Sequence, residues 1–179
     1  MQFANFQGVN KSRYIIRFHG LKDGLHRFEF EAGDDFFKAF KNPEINAGTI
    51  SVVAELDKKA QMLALALKVK GSLQVVCDRC LEFVDIKIKG ETQLFFKFGD
   101  IEEEMSHELI VLAHSTHELN VADYIYETAV LAMPYKKTHP KNGCNPEMLK
   151  RINGFDEENE KTEETDPRWD KLKDIITNN

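Results

Sequence analysis

The sequence lacks the features that secreted and membrane-spanning proteins need. It has three cysteines, an odd number that leaves one without a partner inside the chain, so a disulfide framework is not expected. The start of the chain is polar and is not followed by the apolar segment of a secretory signal. The longest apolar run, Met62 to Leu67, has six residues, far short of the ~20 that a membrane-spanning helix requires. We therefore expect a cytoplasmic protein that does not enter a membrane.

The sequence also lacks the short motifs of common enzyme classes. It contains no P-loop, no GxGxxG, no GxSxG and no HExxH, and it has no internal repeat. Its six histidines are irregularly spaced, and no spacing selects one of them as the partner of a nucleophile. The sequence therefore indicates neither a catalytic residue nor a small-molecule substrate, and we predict that the protein is not an enzyme.

Negative charge is concentrated in one segment. The formal net charge of −6 disfavours binding to nucleic acid, because phosphate contacts by Lys and Arg supply most of the nonspecific affinity. Residues 156–166, however, contain seven acidic residues and one lysine, which accounts for the whole excess. The rest of the chain is neutral overall and has two basic segments, residues 11–27 and 134–153, each with a net charge of +4. A local contact with RNA is therefore compatible with the composition.

The order of the predicted elements indicates the fold class. With 179 residues, 42% of them hydrophobic, the chain can form one domain with a buried core. Most of residues 1–100 has the patterns of strands joined by turns, whereas residues 121–133 have helical periodicity, with Asn120 as N-cap and Pro134 beyond the end. Strands followed by helices favour an α+β fold, which we predict as an antiparallel sheet curled toward a barrel and covered by a few helices. The predicted strands are Tyr14–Phe18, His26–Phe30, Thr49–Leu56, Met62–Val69 and Ile86–Phe98, and a short helix is predicted at Asp34–Phe40 with its phenylalanines inward.

The domain boundaries follow from the acidic segment. We predict a single α+β domain over residues 1–154 and a solvated linker over residues 155–166, since the linker lacks apolar residues after Phe155 and its like charges repel. Residues 167–179 are predicted to form a short amphipathic helix that starts with a proline. Such a helix docks on its own domain or on a partner.

Cys77 and Cys80 form the sharpest local motif. Two intervening residues allow both thiolates to bind one metal ion from a tight turn between strands. His139 and Cys144, separated by four residues that include a proline and a glycine, are candidates for the other half of a Cys3His site. The resulting hypothesis is a zinc site made of Cys77, Cys80, His139 and Cys144.

The same cysteines have two other interpretations. Free cysteines are often small buried core residues without a ligand. A thiol-dependent redox protein is a further alternative, although a redox pair usually precedes a helix, and here Leu81–Val84 leads into a strand pattern.

Basic residues accompany these candidate ligands. Arg79 lies between the first two cysteines, and Lys136, Lys137 and Lys141 lie close to His139 in the sequence. Together with Trp169 of the predicted terminal helix, these basic residues are candidates for contact with RNA or with an acidic protein.

A set of motifs spread over most of the chain resembles the YceD family, long described as a domain of unknown function, and in particular its Bacteroidetes branch. The motifs are Cys77-Asp78-Arg79-Cys80-Leu81-Glu82, the helix Tyr124–Glu127 followed by Leu131–Pro134, the loop His139–Cys144, and Asp166-Pro167-Arg168-Trp169. In other branches the later loop often has the form Cys-x3-Cys, whereas here its first position is a histidine and the spacing is longer.

The resemblance implies a bacterial cytoplasmic protein that is needed for accumulation of large-subunit ribosomal RNA and has no established enzymatic activity. We therefore expect a ribosome biogenesis factor whose partners are large-subunit ribosomal RNA or its precursor, a ribosomal protein, or both. The alternatives are a zinc-stapled protein-binding module and the thiol-dependent redox protein.

Overall fold

The computed structural model describes residues 11–99, 103–104, 109–141 and 143–159. These residues form eight strands, three α-helices and one 3-10 turn, Lys11–Tyr14. The strands are β1 (Ile15–Ile16), β2 (Gly24–Ala32), β3 (Ile45–Lys59), β4 (Met62–Val76), β5 (Phe83–Gly99), β6 (Glu103–Glu104), β7 (Leu109–Ala113) and β8 (Leu119–Asn120), and the helices are α1 (Asp34–Ala39), α2 (Ala122–Leu131) and α3 (Pro146–Asn159). The chain divides into two compact units, residues 1–138 and residues 139–179. The first unit contains the strands, α1 and α2, and the second contains α3.

The first unit is built on a six-stranded sheet with the order β2-β3-β4-β5-β7-β6. All neighbours in it are antiparallel except β5 and β7, which are parallel. The predicted α+β class is thus confirmed, with a sheet that is mostly antiparallel. Within the described residues the sheet stays open, with β2 and β6 at its edges, so it is not a closed barrel.

Strict alternation of side chains separates the two faces of the sheet. In β4, the side chains of Leu63, Leu65, Leu67 and Val69 are buried, and the residues between them point to the other face. Burial of one such aliphatic side chain stabilises the folded state by roughly 1.5–3 kcal/mol. Most of the buried strand residues lie on the three long strands β3, β4 and β5. We call the two sides the core face and the outer face.

Helices α1 and α2 cover the core face. The predicted inward phenylalanines Phe36, Phe37 and Phe40 are all buried. Phe40 stacks on Tyr126 of α2 with ring centroids 3.9 Å apart, and the Asn42 side-chain amide donates a hydrogen bond to the Tyr126 hydroxyl at 2.9 Å. These contacts join the end of α1 to α2.

Helix α2 begins close to its predicted position. The carboxamide oxygen of Asn120 accepts a hydrogen bond from the backbone N–H of Ala122 at 3.0 Å, as expected of a residue that caps the first turn. The helix itself starts one residue later than predicted, with Val121 at the N-cap position. At its other end, an added Cβ on Gly90 of β5 would lie 2.7 Å from the Cβ of Ala132, so the helix packs on the sheet where a glycine leaves room.

Two segments differ from the sequence prediction. The predicted strand Tyr14–Phe18 is a 3-10 turn followed by the two-residue strand β1, which pairs with β8. Helix α3 continues to Asn159 and so includes the first residues of the predicted linker. Residues 160–166 of that linker and the predicted terminal helix over residues 167–179 lie outside the described residues, and the boundaries proposed there stay predictions.

Gly71 of β4 provides a test of the packing between β3 and β4. A Cβ at this position would collide with the carbonyl oxygen of Thr49 and lie 2.7 Å from the Cα of Ile50, both of which are backbone atoms. Because backbone cannot rotate away, Gly71→Ala is expected to lower the free energy of unfolding by about 1–3 kcal/mol in urea denaturation. Gly20→Ala is the control, since no atom lies within 4 Å of its added Cβ. Equal stability of the two variants would contradict this packing.

Candidate metal centre

Cys77 and Cys80 lie in the turn that joins β4 to β5. The pairing of these strands ends at Val76 and Phe83, and the residues between them form a tight turn, here called the knuckle (residues 77–82). The backbone N–H of Cys77 donates to the carbonyl oxygen of Glu82 at 2.8 Å, and that of Leu81 donates to the carbonyl oxygen of Cys77 at 3.0 Å. Both cysteine side chains are buried. The knuckle therefore supplies two buried sulfur atoms from one short segment.

The knuckle requires a left-handed residue directly after its second cysteine. Leu81 has φ of 62°, a region that side chains larger than glycine rarely adopt, and its side chain is 67% exposed. Exposure means that the leucine gains little from burial. The residue therefore occupies this conformation because the turn demands it.

Two hydrogen bonds join the knuckle to the segment around Lys137 within the first unit, and this connection between Asp78 and Lys137 is here called the clasp. The N–H of Asp78 donates to the carbonyl oxygen of Lys137 at 2.7 Å, and the N–H of Lys137 donates to Oδ2 of Asp78 at 2.6 Å. The ammonium group of Lys137 lies 2.9 Å from Oε2 of Glu44 and 3.9 Å from Oδ1 of Asp78. The hydrogen bond with Glu44 is the main cause that raises the pKa of Lys137. These contacts fix the chain just before His139.

His139 and Cys144 belong to the second unit, at the loop before α3. Nδ1 of His139 lies 3.8 Å from Sγ of Cys144, and the N–H of Gly143 donates to the carbonyl oxygen of Pro140 at 2.9 Å, which closes the loop between them. Asn145 then caps α3, because its side-chain oxygen accepts the N–H of Glu147 at 2.9 Å. The start of α3 thus positions Cys144.

The donor atoms of the four candidate ligands form one group. The sulfur atoms of Cys77, Cys80 and Cys144 and a ring nitrogen of His139 all lie within 4.8 Å of one another. The four residues that the sequence suggested as one set are therefore grouped.

The donor set fits a tetrahedral zinc ion better than other common metals. Zinc prefers thiolate and imidazole ligands, and Cys3His is one of its usual structural sets. Zn–S and Zn–N bonds of about 2.3 and 2.1 Å place sulfur and nitrogen of a tetrahedral site about 3.6 Å apart, close to the separation of His139 and Cys144. The cluster is compatible with zinc.

The predicted contact residues have different environments. Arg79, Lys136 and Lys141 are exposed. The side chain of Lys137 is only 17% exposed and its ammonium group is engaged with Glu44 and Asp78, so it stabilises the clasp. Trp169 lies outside the described residues.

Sequence reasoning missed the residues that support the cluster. Asp78 was visible as the residue after the first cysteine, but nothing in the pattern indicated that it binds the backbone of Lys137. Glu44 is 93 residues away from Lys137 along the chain, so no local signal identified it. Tyr135, whose side chain is fully exposed beside Lys136, was also missed.

Comparison with known proteins identifies the class of this α+β protein. Residues 65–176 match the family model described as large ribosomal RNA subunit accumulation protein YceD. The match covers more than half of the chain, including the knuckle, the clasp and the loop before α3. The chain therefore belongs to the YceD family, whose description concerns accumulation of the large ribosomal RNA. No curated protein and no solved structure matches the chain. Among the described residues, no helix has both the length and the apolar character needed to cross a bilayer.

The backbone of Leu81 yields a prediction for the knuckle. A glycine at position 81 would remove the steric cost of the left-handed conformation, which is about 1–2 kcal/mol. Glycine also has more freedom in the unfolded chain, which lowers the free energy of unfolding by about 0.5–1 kcal/mol. Leu81→Gly is therefore expected to unfold at the same or a slightly higher urea concentration than the wild type. Leu81→Val, which keeps an apolar side chain but branches at Cβ, is expected to be less stable. A clear loss of stability in Leu81→Gly would contradict the observed backbone.

Proposed function

We propose that the protein is a non-enzymatic ribosome biogenesis factor that supports accumulation of large-subunit ribosomal RNA by binding the RNA, a ribosomal protein, or both. The observation that carries this proposal is the family match, which links the chain to that RNA by the family's own description. The first basic segment and the basic residues near the knuckle supply the positive charge that such a contact requires.

The surface beside the knuckle supports an RNA contact within the first unit. Arg79 and Lys136 are exposed cations, and Tyr135, next to Lys136 in the chain, exposes its whole aromatic ring. Proteins that bind unpaired RNA combine cations for the phosphates with aromatic rings on which bases stack. Tyr135 and Lys136 offer such a ring and such a cation at neighbouring positions.

We further propose that the cluster binds one structural zinc ion. The ion would be held by Cys77 and Cys80 of the knuckle, by His139 and by Cys144, and all four ligand positions would be filled by the protein, which leaves none for substrate. Its role would be to hold the loop before α3, and with it Lys141, in a fixed position. A zinc-stapled protein-binding module remains the second candidate function, because the same cluster would support it without RNA.

The zinc proposal is tested by the metal content of the purified protein. We expect about one zinc per chain, and we expect a chelator to remove it and to lower the melting temperature by about 5 °C or more, because a ligand that binds only the folded state stabilises it. His139→Asn is expected to lose zinc, whereas His114→Asn, an exposed histidine outside the cluster, is the matched control and should retain it. A folded, metal-free wild type that forms a disulfide reversibly would contradict zinc and support the redox alternative.

The RNA proposal is tested by charge reversal of the two exposed lysines near the cluster. Lys136→Glu combined with Lys141→Glu is expected to reduce recovery of ribosomal RNA precursors with the tagged protein by roughly threefold to tenfold, because two phosphate contacts are replaced by repulsion. Lys38→Glu combined with Lys97→Glu changes the net charge equally at exposed positions away from the knuckle and serves as control. Unchanged recovery would remove this surface from the proposal, and recovery of a ribosomal protein without RNA would favour the protein-binding module.

A further inference from the structure

The outer face of the sheet contains an unusual cross-strand pair. The register of β4 and β5 places Lys70 directly opposite Lys89. Side chains in this relation have their Cβ atoms about 5 Å apart, and like charges there destabilise the sheet. The next outward position of β4, Ser72, lies opposite Lys87. Lys87 is on the same strand as Lys89 and about 7 Å from it. We call Lys70, Lys87 and Lys89 the lysine patch.

At neighbouring positions of the outer face, cations lie next to carboxylates. Lys68 lies opposite Glu91 and donates a hydrogen bond to Glu55 at 2.8 Å. That bond is the main cause that raises the pKa of Lys68 and lowers the pKa of Glu55. Arg27 likewise lies opposite Glu55 on the next pair of strands. At these positions the sheet places cations next to carboxylates.

The lysine patch itself is not balanced. Its three side chains are exposed, and within the part of the chain that the structure describes none of their ammonium groups forms an ion pair. The nearest carboxylates on β5, Glu91 and Asp85, each lie two residues from a patch lysine. Glu91 lies opposite Lys68, and Asp85 lies opposite Gln74, whose side-chain amide donates a hydrogen bond to it at 3.3 Å. Three cations without an ion pair thus lie side by side on the outer face of the sheet.

The patch borders a hollow that is large enough for a ligand. The hollow has a volume of about 600 Å³ and is lined by Ser51, Val53, Lys68, Lys70, Lys89 and Glu91 among its residues. Ser72 lies opposite Lys87 and is exposed beside the cations, whereas the Ser51 hydroxyl donates a hydrogen bond to the carbonyl oxygen of Lys70 at 3.1 Å. Lysine and serine side chains are the groups that commonly contact phosphate oxygens.

We propose that the lysine patch is a second RNA-binding surface, which holds the phosphate backbone of the large-subunit ribosomal RNA. This inference rests on the proposed function and adds a site on the outer face of the sheet to the one beside the knuckle. An RNA strand supplies the closely spaced anions that a row of three lysines neutralises, and it relieves the repulsion between Lys70 and Lys89. Because lysine contacts a phosphate as a point charge, the patch contributes affinity and position without reading the base sequence.

The decisive variant is Lys89→Glu, since it separates RNA binding from stability. It places a carboxylate opposite Lys70, so the melting temperature is expected to rise by about 1–3 °C. Affinity for purified large-subunit ribosomal RNA is expected to fall by roughly tenfold at moderate salt. Loss of binding in a more stable protein cannot be ascribed to unfolding.

A second variant tests the same surface without a new carboxylate. Lys70→Gln combined with Lys89→Gln is expected to reduce the slope of log affinity against log salt concentration by about 2, one for each lost phosphate contact. Lys38→Gln combined with Lys97→Gln, two exposed lysines outside the patch, changes the net charge equally and is expected to leave the slope unchanged.

The outcomes distinguish this inference from the proposed function. If the wild type binds the RNA and the patch variants bind it equally well with the same salt slope, the patch is overturned and the knuckle surface stands. If the wild type does not bind the RNA at all, the RNA part of the proposed function fails as well. Preference of the patch for polyglutamate over RNA in a competition experiment would overturn the inference in favour of an acidic protein.

Discussion

The antiparallel register of β4 and β5 is the constraint on which the rest of the structure depends. One long hairpin pairs fifteen residue positions, from Met62 opposite Lys97 to Val76 opposite Phe83. Its closing turn is the knuckle, its core face carries buried leucines, and its outer face carries the lysine patch. A slip by one residue would exchange the two faces, bury the lysines and displace both cysteines. The hydrophobic alternation therefore fixes the candidate metal centre and the outer surface together.

The clasp transmits this constraint to the segment that follows α2. Helix α2 contacts the end of α1 through Tyr126 and packs closely on the sheet at Gly90, and the chain that leaves it meets the knuckle at Asp78 and Lys137. Three buried thiol groups and an imidazole form one group of donor atoms, and this donor set is one that zinc uses in structural sites.

The sequence was most informative where a chemical pattern is local or strongly periodic. Phe36, Phe37 and Phe40 were predicted as buried, and the Cys3His set was predicted from two short motifs separated by a long interval, because cysteines spaced by two residues have few structural uses. The ends of the long strands were not predictable. β4 continues from Val69 to Val76 although its outward residues are polar, since the paired backbone of its neighbours sustains it. The parallel pairing of β7 with β5 and the ion pair between Glu44 and Lys137 depend on contacts distant in sequence, which periodicity cannot reveal.

The central claim is that this YceD-family protein acts on large-subunit ribosomal RNA through its own surface. Ultraviolet cross-linking in living cells, followed by sequencing of the RNA attached to the purified protein, tests it most directly, because only bases in contact with the chain are captured. The account predicts strong enrichment of large-subunit ribosomal RNA or its precursor over small-subunit RNA, with cross-links grouped at a few positions. Equal recovery of both RNAs, or recovery of neither, would contradict it.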